Sequence, residues 1–201
     1  MRIISTGTGI AQERIIKTMN HTGTKKLETG RLILRRFEMS DAQAMFRNWA
    51  NDPDVARYMT WQSHGNISVT NEVLSDWVSS YKRPDYYQWA IVPKYKGEPI
   101  GSIGSVYGSD DINMVHVGYC IGKMWWRQGY TSEALARVIN FFFQEVKVNR
   151  IESRHDPQNP NSGMVMLKCG LSYEGRSRQS DSNNQGLCDA MHYAILAEDV
   201  K

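Results

Sequence analysis

The stretch covering residues 115–134 most constrains what this 201-residue chain can fold into. Val117, Tyr119 and Ile121 alternate with smaller or polar residues, which is the period of a β-strand. From Glu133 onward the period changes, and apolar residues recur along one helix face at Leu135, Val138, Ile139, Phe142 and Val146. The sequence therefore predicts a strand, a glycine-containing loop and an amphipathic helix in direct succession.

The loop, residues 127–132, leads into the N-terminus of the predicted helix. Such a terminus presents backbone N–H groups without intrahelical partners and a partial positive charge, and both suit a phosphate group. Gly129 leaves room for an anion to approach the backbone closely. The loop is therefore a candidate phosphate site, with an ordinary strand–turn–helix connection as the alternative.

This loop resembles the pyrophosphate-binding loop of the GNAT acetyltransferases, whose pattern is Q/R-x-x-G-x-G/A. Residues 126–134, WRQGYTSEA, are more closely similar to the W-G-x-G-Y-x-T-E-A form of the branch that acetylates ribosomal-protein N-termini (RimJ/RimL). The chain departs from these patterns at three positions. Trp126 stands at the Q/R position, Arg127 replaces a glycine, and Thr131 replaces the final glycine or alanine.

Other segments extend the resemblance over most of the chain. The L-E-T-x-R-L-x-L-R that begins at Leu27 and the N-D-P-x-V that begins at Asn51 are similar to the same branch. A further helix is predicted by local rules, with Asn159 as N-cap, Pro160 at the first position and Gly170 just past the end. It is similar to the branch's N-P-x-S-x-x-V-x-x-K-x-G-F segment, matched at Asn159, Pro160, Ser162, Val165, Lys168 and Gly170.

The resemblance implies a single α/β domain over residues 27–201, preceded by an N-terminal arm of unknown role at 1–26. The implied fold is the GNAT-type acyl-CoA N-acyltransferase fold, a mixed, mostly antiparallel twisted sheet with helices on both faces. Residue patterns predict strands at 27–37, 86–92, 98–107 and 150–155, helices from a capping box at Ser40 to 51 and at 70–81, and a closing hairpin of 171–177 and 187–196 around a polar, mobile loop at 178–186.

The same resemblance implies acetyl-CoA as co-substrate, lying between the strand that ends at Ile121 and the strand at 150–155, which splay apart. Backbone groups of Cys120 and Ile121 would meet its pantetheine arm, and Asn159 would contact the arm from its helix. Pure N-capping is the alternative role of Asn159. The residues implied at the pyrophosphate are Trp126, Arg127, Gln128, Gly129, Tyr130, Thr131 and Ser132.

Two residues are predicted to be catalytic. Ser162 matches a serine that lies near the thioester sulfur in this branch, which implies that it stabilises the leaving thiolate; a local hydrogen bond in the first helical turn is the alternative. His116 is the candidate general base, since relatives often carry glutamate at this strand position and a histidine titrates in the useful range. A structural strand histidine is the alternative, and Glu98, Asp110 and Asp111 are the other candidate bases.

The implied reaction is the transfer of an acetyl group from acetyl-CoA to a primary amine by direct attack in a ternary complex. An α-amino group, with a pKa near ~7.8, is partly neutral at pH 7, whereas a lysine-like amine near ~10.4 is almost wholly protonated. A protein N-terminal α-amino group is therefore the preferred acceptor. The alternatives are a small-molecule N-acetyltransferase acting on polyamines, amino acids or antibiotics, and a non-catalytic acyl-CoA sensor.

Aromatic residues are concentrated where this fold would place its acceptor site: Trp49, Tyr58, Trp61, Trp77, Tyr81, Tyr86, Tyr87 and Trp89. Most are assigned to the core because large rings dominate core packing. Trp61 lies in a polar segment and is the predicted substrate contact, since an aromatic face can hold a cationic amine.

Composition excludes several other classes of function. The net charge of +3 is weak and dispersed, which argues against nucleic acid. The expected chain is cytoplasmic, without a membrane span or secretion signal, and a monomer or homodimer. Cys120, Cys169 and Cys188 form no CxxC pair and are expected as reduced thiols. His155 and Asp156 have no third ligand at metal spacing, so no metal is expected.

Overall fold

A computed structural model gives the fold and describes residues 18–200; residues 1–17 of the predicted arm and residue 201 lie outside the described part. The described chain forms an eight-stranded sheet in the order β1-β2-β3-β4-β5-β6-β8-β7. The strands are β1 (Leu27–Glu28), β2 (Leu32–Arg35), β3 (Gln88–Pro93), β4 (Gly101–Ser109), β5 (Met114–Ile121), β6 (Arg150–His155), β7 (Ser172–Asn183) and β8 (Gly186–Leu196).

Neighbouring strands pair antiparallel except β5 and β6, which are parallel. The parallel pairing runs only from Met114 opposite Arg150 to His116 opposite Glu152. Both strands continue beyond this point, but they no longer pair with each other. They therefore separate toward their carboxyl ends. The opening between β5 and β6 is where the family resemblance implies the cofactor.

Helices cover both faces of the sheet, which confirms the predicted fold class. They are α1 (Ala42–Met45), continued by a wider helical turn (Phe46–Ala50), α2 (Pro53–Ala56), α3 (Ile67–Ser80), α4 (Tyr130–Phe141), continued by a similar turn (Phe142–Val146), and α5 (Pro160–Lys168). Val117 and Ile121 of β5 pack into the main core with α4 and α5, whereas Cys120 packs into a second core with α1 and α3. The alternation of β5 therefore feeds two separate cores.

Some predicted boundaries are wrong. The first strand is split into β1 and β2 by a turn in which the Thr29 amide donates to the Leu32 carbonyl at 3.0 Å. The capping box of the first helical segment is formed by Glu38 and Asp41 rather than beginning at Ser40, and the Glu38 amide donates to the Asp41 carboxylate at 2.9 Å. Helix α4 begins at Tyr130, three residues before the apolar period becomes visible.

The predicted mobile loop at 178–186 is wrong as well, because β7 continues to Asn183 and a two-residue turn leads into β8. A polar strand lacks the alternation of apolar residues by which a strand is predicted from sequence. Polar contacts to neighbouring strands stabilise the polar end of β7. The Arg154 Nε lies 2.5 Å from the Asp181 carboxylate, and the Gln179 amide donates to Asp189 at 2.9 Å. The hairpin turn is anchored by the Asn184 amide, which donates to the Ala56 and Trp61 carbonyls at 2.8 Å each.

The described end of the predicted arm packs against the domain. Met19 is buried in the main core, and the Asn20 amide donates to the Val146 carbonyl at 2.7 Å. The Thr24 hydroxyl donates to the Tyr86 carbonyl at 2.9 Å. Across residues 18–200, no helix has the length and apolar character that crossing a membrane requires.

Candidate active site

The opening between β5 and β6 begins at a side-chain contact. The Ser153 hydroxyl of β6 donates to the Val117 carbonyl of β5 at 2.8 Å, where backbone pairing has already ended. Alternate residues of a strand direct their backbone groups to the same edge, so those of Tyr119 and Ile121 also face the opening. The Ile121 carbonyl accepts the Trp126 indole N–H at 2.9 Å. The backbone groups of Cys120 face β4 instead, so the pleat favours Tyr119 over Cys120 as a backbone partner for a bound arm.

A cavity of about 570 Å³ lies at this opening. Its lining comes from four parts of the fold: the end of β5, the loop before α4, the start of α5 and the α2 region. The lining residues include Tyr119, Cys120, Ile121, Trp126, Arg127, Thr131, Gln158, Asn159, Pro160, Asn161, Ser162 and Val165, together with Asp54, Val55, Arg57, Tyr58 and Met59. The structure thus brings together most of the residues that the sequence predicted for cofactor binding.

The loop before α4 has the backbone shape expected of an anion-binding turn. Gly129 is the N-cap of α4 with φ +80°, a left-handed conformation that glycine adopts without a steric penalty. Arg127 is also left-handed, with φ +61°, which explains why a glycine is typical at this position. The arginine side chain lies on the cavity lining, where its charge suits a phosphate.

Three of the residues predicted to bind the pyrophosphate make contacts within the protein. The Gln128 side chain donates to the Met124 carbonyl at 2.7 Å. The buried Tyr130 ring lies 4.4 Å from the Arg31 guanidinium carbon, and the Ser132 carbonyl accepts the Cys169 thiol at 3.2 Å. These contacts leave the backbone amides as the groups through which the three residues would bind a pyrophosphate, as the resemblance implies.

Glu133, in the first turn of α4, ties this loop to the β1–β2 turn. Its carboxylate accepts from the Thr29 hydroxyl at 2.5 Å, the Arg31 amide at 2.9 Å and the Arg31 Nε at 2.6 Å. Burial raises the pKa of Glu133, but these hydrogen bonds outweigh it and hold the pKa below its ordinary value. The positive end of the helix dipole also stabilises a negatively charged side chain in the first turn of α4.

Replacing Glu133 by alanine is expected to lower the free energy of unfolding by about 2 kcal/mol at pH 7, because hydrogen bonds to a charged group are lost. The contribution of a carboxylate with a lowered pKa is complete above its unfolded pKa and disappears as the pH falls through the folded value. The difference from wild type in urea unfolding should therefore shrink below about pH 4. Glu133→Gln, which keeps the shape without the charge, is the matched control, and a pH-independent difference would contradict this account.

The start of α5 presents unused polar groups to the cavity. Asn159 is the N-cap residue by position, but its side chain makes no capping hydrogen bond. The Asp156 carboxylate accepts the Gln158 amide at 2.7 Å and the Asn183 side chain at 2.8 Å. Among residues 18–200, no hydrogen bond engages the Asn159 side-chain amide. It lines the cavity, so the alternative of pure capping loses its geometric basis.

Ser162 has a direct partner that the sequence did not reveal. Its hydroxyl donates to the Tyr119 hydroxyl at 3.2 Å, and Tyr119 donates to the Ser162 carbonyl at 2.8 Å. Burial of the phenol raises the pKa of Tyr119 well above its ordinary value. The sequence signal for Tyr119 was its place on the strand face that packs toward α5, but only the fold shows which helical residue it meets.

His116 lies outside the cavity lining, in a polar cluster at the start of the opening. Its Nδ1 is 3.4 Å from the Glu152 carboxylate, its ring stacks on Tyr107 at 4.6 Å between centroids, and Arg154 is near enough to affect its charge. Burial and Arg154 lower the pKa of His116, and Glu152 opposes them. Gly118 leaves less space beside His116 than expected, because a Cβ there would lie 2.7 Å from Val106.

The other candidate bases are engaged elsewhere. Hydrogen bonds from Lys96, Arg47 and Asn48 hold the pKa of Glu98 down to about 2. Such a carboxylate is a weak base at neutral pH. The Asp110 carboxylate lies 3.1 Å from the Nε2 of His21, and neither Asp110 nor Asp111 lines the cavity.

The aromatic residues divide between core and cavity. Trp49 and Trp89 are completely buried in the two cores. Trp61 is partly buried against the second core, with its ring 5.6 Å from that of His64, and it does not line the cavity. Tyr58 does line it. The cavity geometry therefore does not support the substrate contact predicted for Trp61. Tyr58 is the aromatic residue of this region that could contact a substrate in the cavity.

Within residues 18–200, no group of three or more histidine, cysteine, aspartate or glutamate side chains is arranged to hold a metal ion.

Burial raises the pKa of the Cys120 thiol, and it raises that of Cys169 to about 11, so both thiols are protonated at neutral pH.

Residues 31–172 match the acetyltransferase (GNAT) domain family. YoaA of Bacillus subtilis, described as an uncharacterized N-acetyltransferase, is 30% identical over 85% of this chain and 96% of its own length. The fold is similar to that of the ribosomal-protein-S5-alanine acetyltransferase of Vibrio fischeri, with a TM-score of 0.77 and 20% identity over 88% of this chain and 99% of that one. It is also similar to RimL, a ribosomal L7/L12 α-N-protein acetyltransferase solved in complex with coenzyme A, with a TM-score of 0.77 and 16% identity over 86% of this chain and 98% of that one.

Proposed function

The chain belongs to the GNAT acetyltransferase family, and from this premise we propose that it transfers the acetyl group of acetyl-CoA to a peptide or protein N-terminal α-amino group by direct attack. The observation that carries the proposal is the cavity between the separating ends of β5 and β6. The cavity extends from the loop before α4 to the start of α5. One extended ligand can therefore contact both the candidate phosphate-binding loop and the polar N-terminus of α5.

The residues of the cavity fit acetyl-CoA. The loop offers a left-handed glycine, the cationic Arg127 and the amides that begin α4. The uncommitted Asn159 amide and the Ser162 hydroxyl lie on the lining beside the edge of β5. When bound, acetyl-CoA supplies the activated thioester. Asn159 would orient the arm, and Ser162 would donate a hydrogen bond to the departing sulfur.

The proton chemistry of the candidate base supports the proposed class of acceptor. An ammonium must lose its proton before it can attack, and the transfer is efficient when donor and acceptor pKa values are close. The pKa of His116 lies below its ordinary value of about 6.5. A base of this strength suits an α-amino group near ~7.8 far better than a lysine-like amine near ~10.4. RimL, whose fold is similar, is an α-N-protein acetyltransferase, and this supports the same class of acceptor.

The function is tested by measuring CoA release from acetyl-CoA with a panel of acceptors. Peptides that begin with Ser, Ala or Thr are compared with the same peptides carrying a blocked N-terminus and one internal lysine, and with polyamines and aminoglycosides. We expect release with free N-termini only. Release with polyamines or aminoglycosides alone would establish the small-molecule alternative, and tight acetyl-CoA binding without release would establish the sensor.

The loop assignment is tested at Gly129, where Gly129→Asp and Gly129→Asn are compared. Both side chains strain the same left-handed backbone, and a Cβ there would lie 3.5 Å from the Arg31 guanidinium, so the two variants differ in charge alone. Gly129→Asp is expected to weaken acetyl-CoA binding by at least ~1.4 kcal/mol, or tenfold, and Gly129→Asn by clearly less. Isothermal calorimetry on the folded variants measures both, and wild-type affinity in Gly129→Asp would refute the assignment.

A further inference from the structure

Two hydrogen bonds join Tyr119 of β5 to Ser162 of α5. The Tyr119 hydroxyl donates to the Ser162 carbonyl at 2.8 Å and accepts from the Ser162 hydroxyl at 3.2 Å. Both residues line the cavity. Tyr119 is half-buried as a residue because part of its surface faces the cavity, whereas its hydroxyl lies deep.

The number of available protons fixes the direction of each bond. A carbonyl oxygen only accepts, so the single phenol proton of Tyr119 lies on the Ser162 carbonyl. The Ser162 proton then lies on the phenol oxygen. In this arrangement both hydroxyls are satisfied, and Ser162 has no second proton to offer to a sulfur atom in the cavity.

A negative sulfur in the cavity changes the best arrangement without moving a heavy atom. Ser162 turns its proton to the sulfur, since a hydrogen bond to a charged acceptor is stronger than one to a neutral hydroxyl. The single Tyr119 proton then leaves the Ser162 carbonyl and turns to the Ser162 hydroxyl oxygen, which is within reach at the same 3.2 Å. Hydrogen bonds in a chain polarise one another, so the serine becomes a better donor when the tyrosine donates to it.

We propose that Tyr119 is the positioning residue of the acyl-transfer site, acting through Ser162 as the second member of a two-hydroxyl chain that stabilises the coenzyme A thiolate. This inference rests on the proposed function. No bond to hydrogen breaks in the step: each hydroxyl keeps its proton and turns its donor direction. Because burial raises the pKa of the phenol, Tyr119 acts as a hydrogen-bond donor and not as an acid.

The competing account is that Tyr119 only holds the first turn of α5 against β5 through the Ser162 carbonyl. A holding role acts whether or not residue 162 has a hydroxyl, whereas the chain needs both hydroxyls. The two accounts therefore differ in how Tyr119→Phe and Ser162→Ala combine, and a double-mutant cycle separates them.

The first experiment measures the pKa of the coenzyme A thiol bound to the protein, by the ultraviolet absorbance of the thiolate, which needs no acceptor and no turnover. Hydrogen bonds to the thiolate are expected to lower this pKa by roughly one unit relative to free coenzyme A. Tyr119→Phe should recover a large part of that shift toward the free value. In the Ser162→Ala background, Tyr119→Phe should change the thiol pKa no further.

The second experiment measures kcat and the KM for acetyl-CoA with the best acceptor of the panel. Tyr119→Phe is expected to lower kcat about tenfold with the KM changed less than about twofold. In the Ser162→Ala background the same substitution should change kcat less than about twofold. Tyr87→Phe, which removes a hydrogen-bonded phenol hydroxyl from the same core away from the cavity lining, is the matched control and should leave both measurements at wild-type values.

Equal losses from Tyr119→Phe in the presence and absence of the Ser162 hydroxyl would overturn the chain and leave Tyr119 as a holding residue. An unchanged thiol pKa in folded Tyr119→Phe would overturn it as well. These failures are distinct from a failure of the proposed function, in which the wild-type protein releases no coenzyme A with any acceptor. Even then, the thiol pKa still decides whether the two hydroxyls act together.

Discussion

Ser162→Ala is expected to lower kcat by roughly 10- to 1000-fold, with little change in acetyl-CoA affinity. A serine hydroxyl is too weak an acid to give up its proton here, so it stabilises the departing thiolate mainly by a hydrogen bond. That interaction exists only when charge has developed on the sulfur, and its loss therefore falls on kcat. The position of Ser162 on the cavity lining, in the first turn of α5, is the structural basis for this expectation.

Ser162→Thr is the matched control because it retains a hydroxyl at the same backbone position. Part of the lost rate should return with threonine, and acetyl-CoA affinity measured by calorimetry should be similar in all three proteins. The comparison requires that chemistry limits the rate, which single-turnover kinetics establishes. Near wild-type turnover by Ser162→Ala under those conditions would leave Ser162 as a helix residue without a part in catalysis.

The second large effect is expected at His116. If it accepts the proton of the attacking ammonium, kcat/KM should rise with pH along a limb that reports the neutral imidazole. Burial and Arg154 lower the pKa of His116, so this limb should lie below the ordinary histidine value of about 6.5. The α-amino acceptor adds a separate limb near ~7.8. Glu152, Tyr107, Arg154 and Asp181 are the charged or titratable neighbours that set the position of the lower limb.

His116→Ala should remove the lower limb and reduce kcat/KM by about 100-fold or more. His116→Gln keeps much of the volume and a donor for Glu152 but takes up no proton in this pH range, so it should lose activity similarly. His21→Ala removes a histidine bonded to Tyr87 and Asp110, outside the cavity lining, and serves as the control for general effects of losing an imidazole. A wild-type rate and pH profile in folded His116→Ala would place the base elsewhere.

The route of that proton is longer than the sequence suggested. His116 lies three residues before Tyr119, which is roughly 10 Å along a strand, and its side chain points to the opposite face. If His116 is the base, we therefore expect the proton to reach it through water rather than by direct contact with the acceptor. Since Glu152 already lies beside His116, a glutamate introduced at this position would face a second carboxylate, and its recovery of the rate should be small.

The parts of the site that the sequence predicted are those governed by local rules. The apolar alternation of β5, the glycine at the start of α4 and the Asn159-Pro160 start of α5 are local signals, and the structure has an element at each place. The opening between β5 and β6 was implied by the family resemblance that these motifs carry. The fold class was implied by the same resemblance and is confirmed.

The parts that the sequence did not predict depend on contacts between distant segments. Tyr119 meets Ser162 across 43 positions of sequence, and nothing in the alternation of β5 shows that partner. The polar end of β7 is tied to β6 by the ion pair of Asp181 with Arg154, a contact between distant segments that local propensity does not reveal. Trp61 lies in a polar segment, but packing against the second core draws it away from the cavity lining, where Tyr58 stands instead.

A crystal structure of the protein with coenzyme A tests the central claim most directly. We expect the pyrophosphate to lie against the backbone of residues 127–132 and the pantetheine arm to lie between the separating ends of β5 and β6. We also expect the sulfur to lie within hydrogen-bond distance of the Ser162 hydroxyl. Coenzyme A bound outside this cavity, or seated in it with its sulfur away from Ser162, would contradict the account.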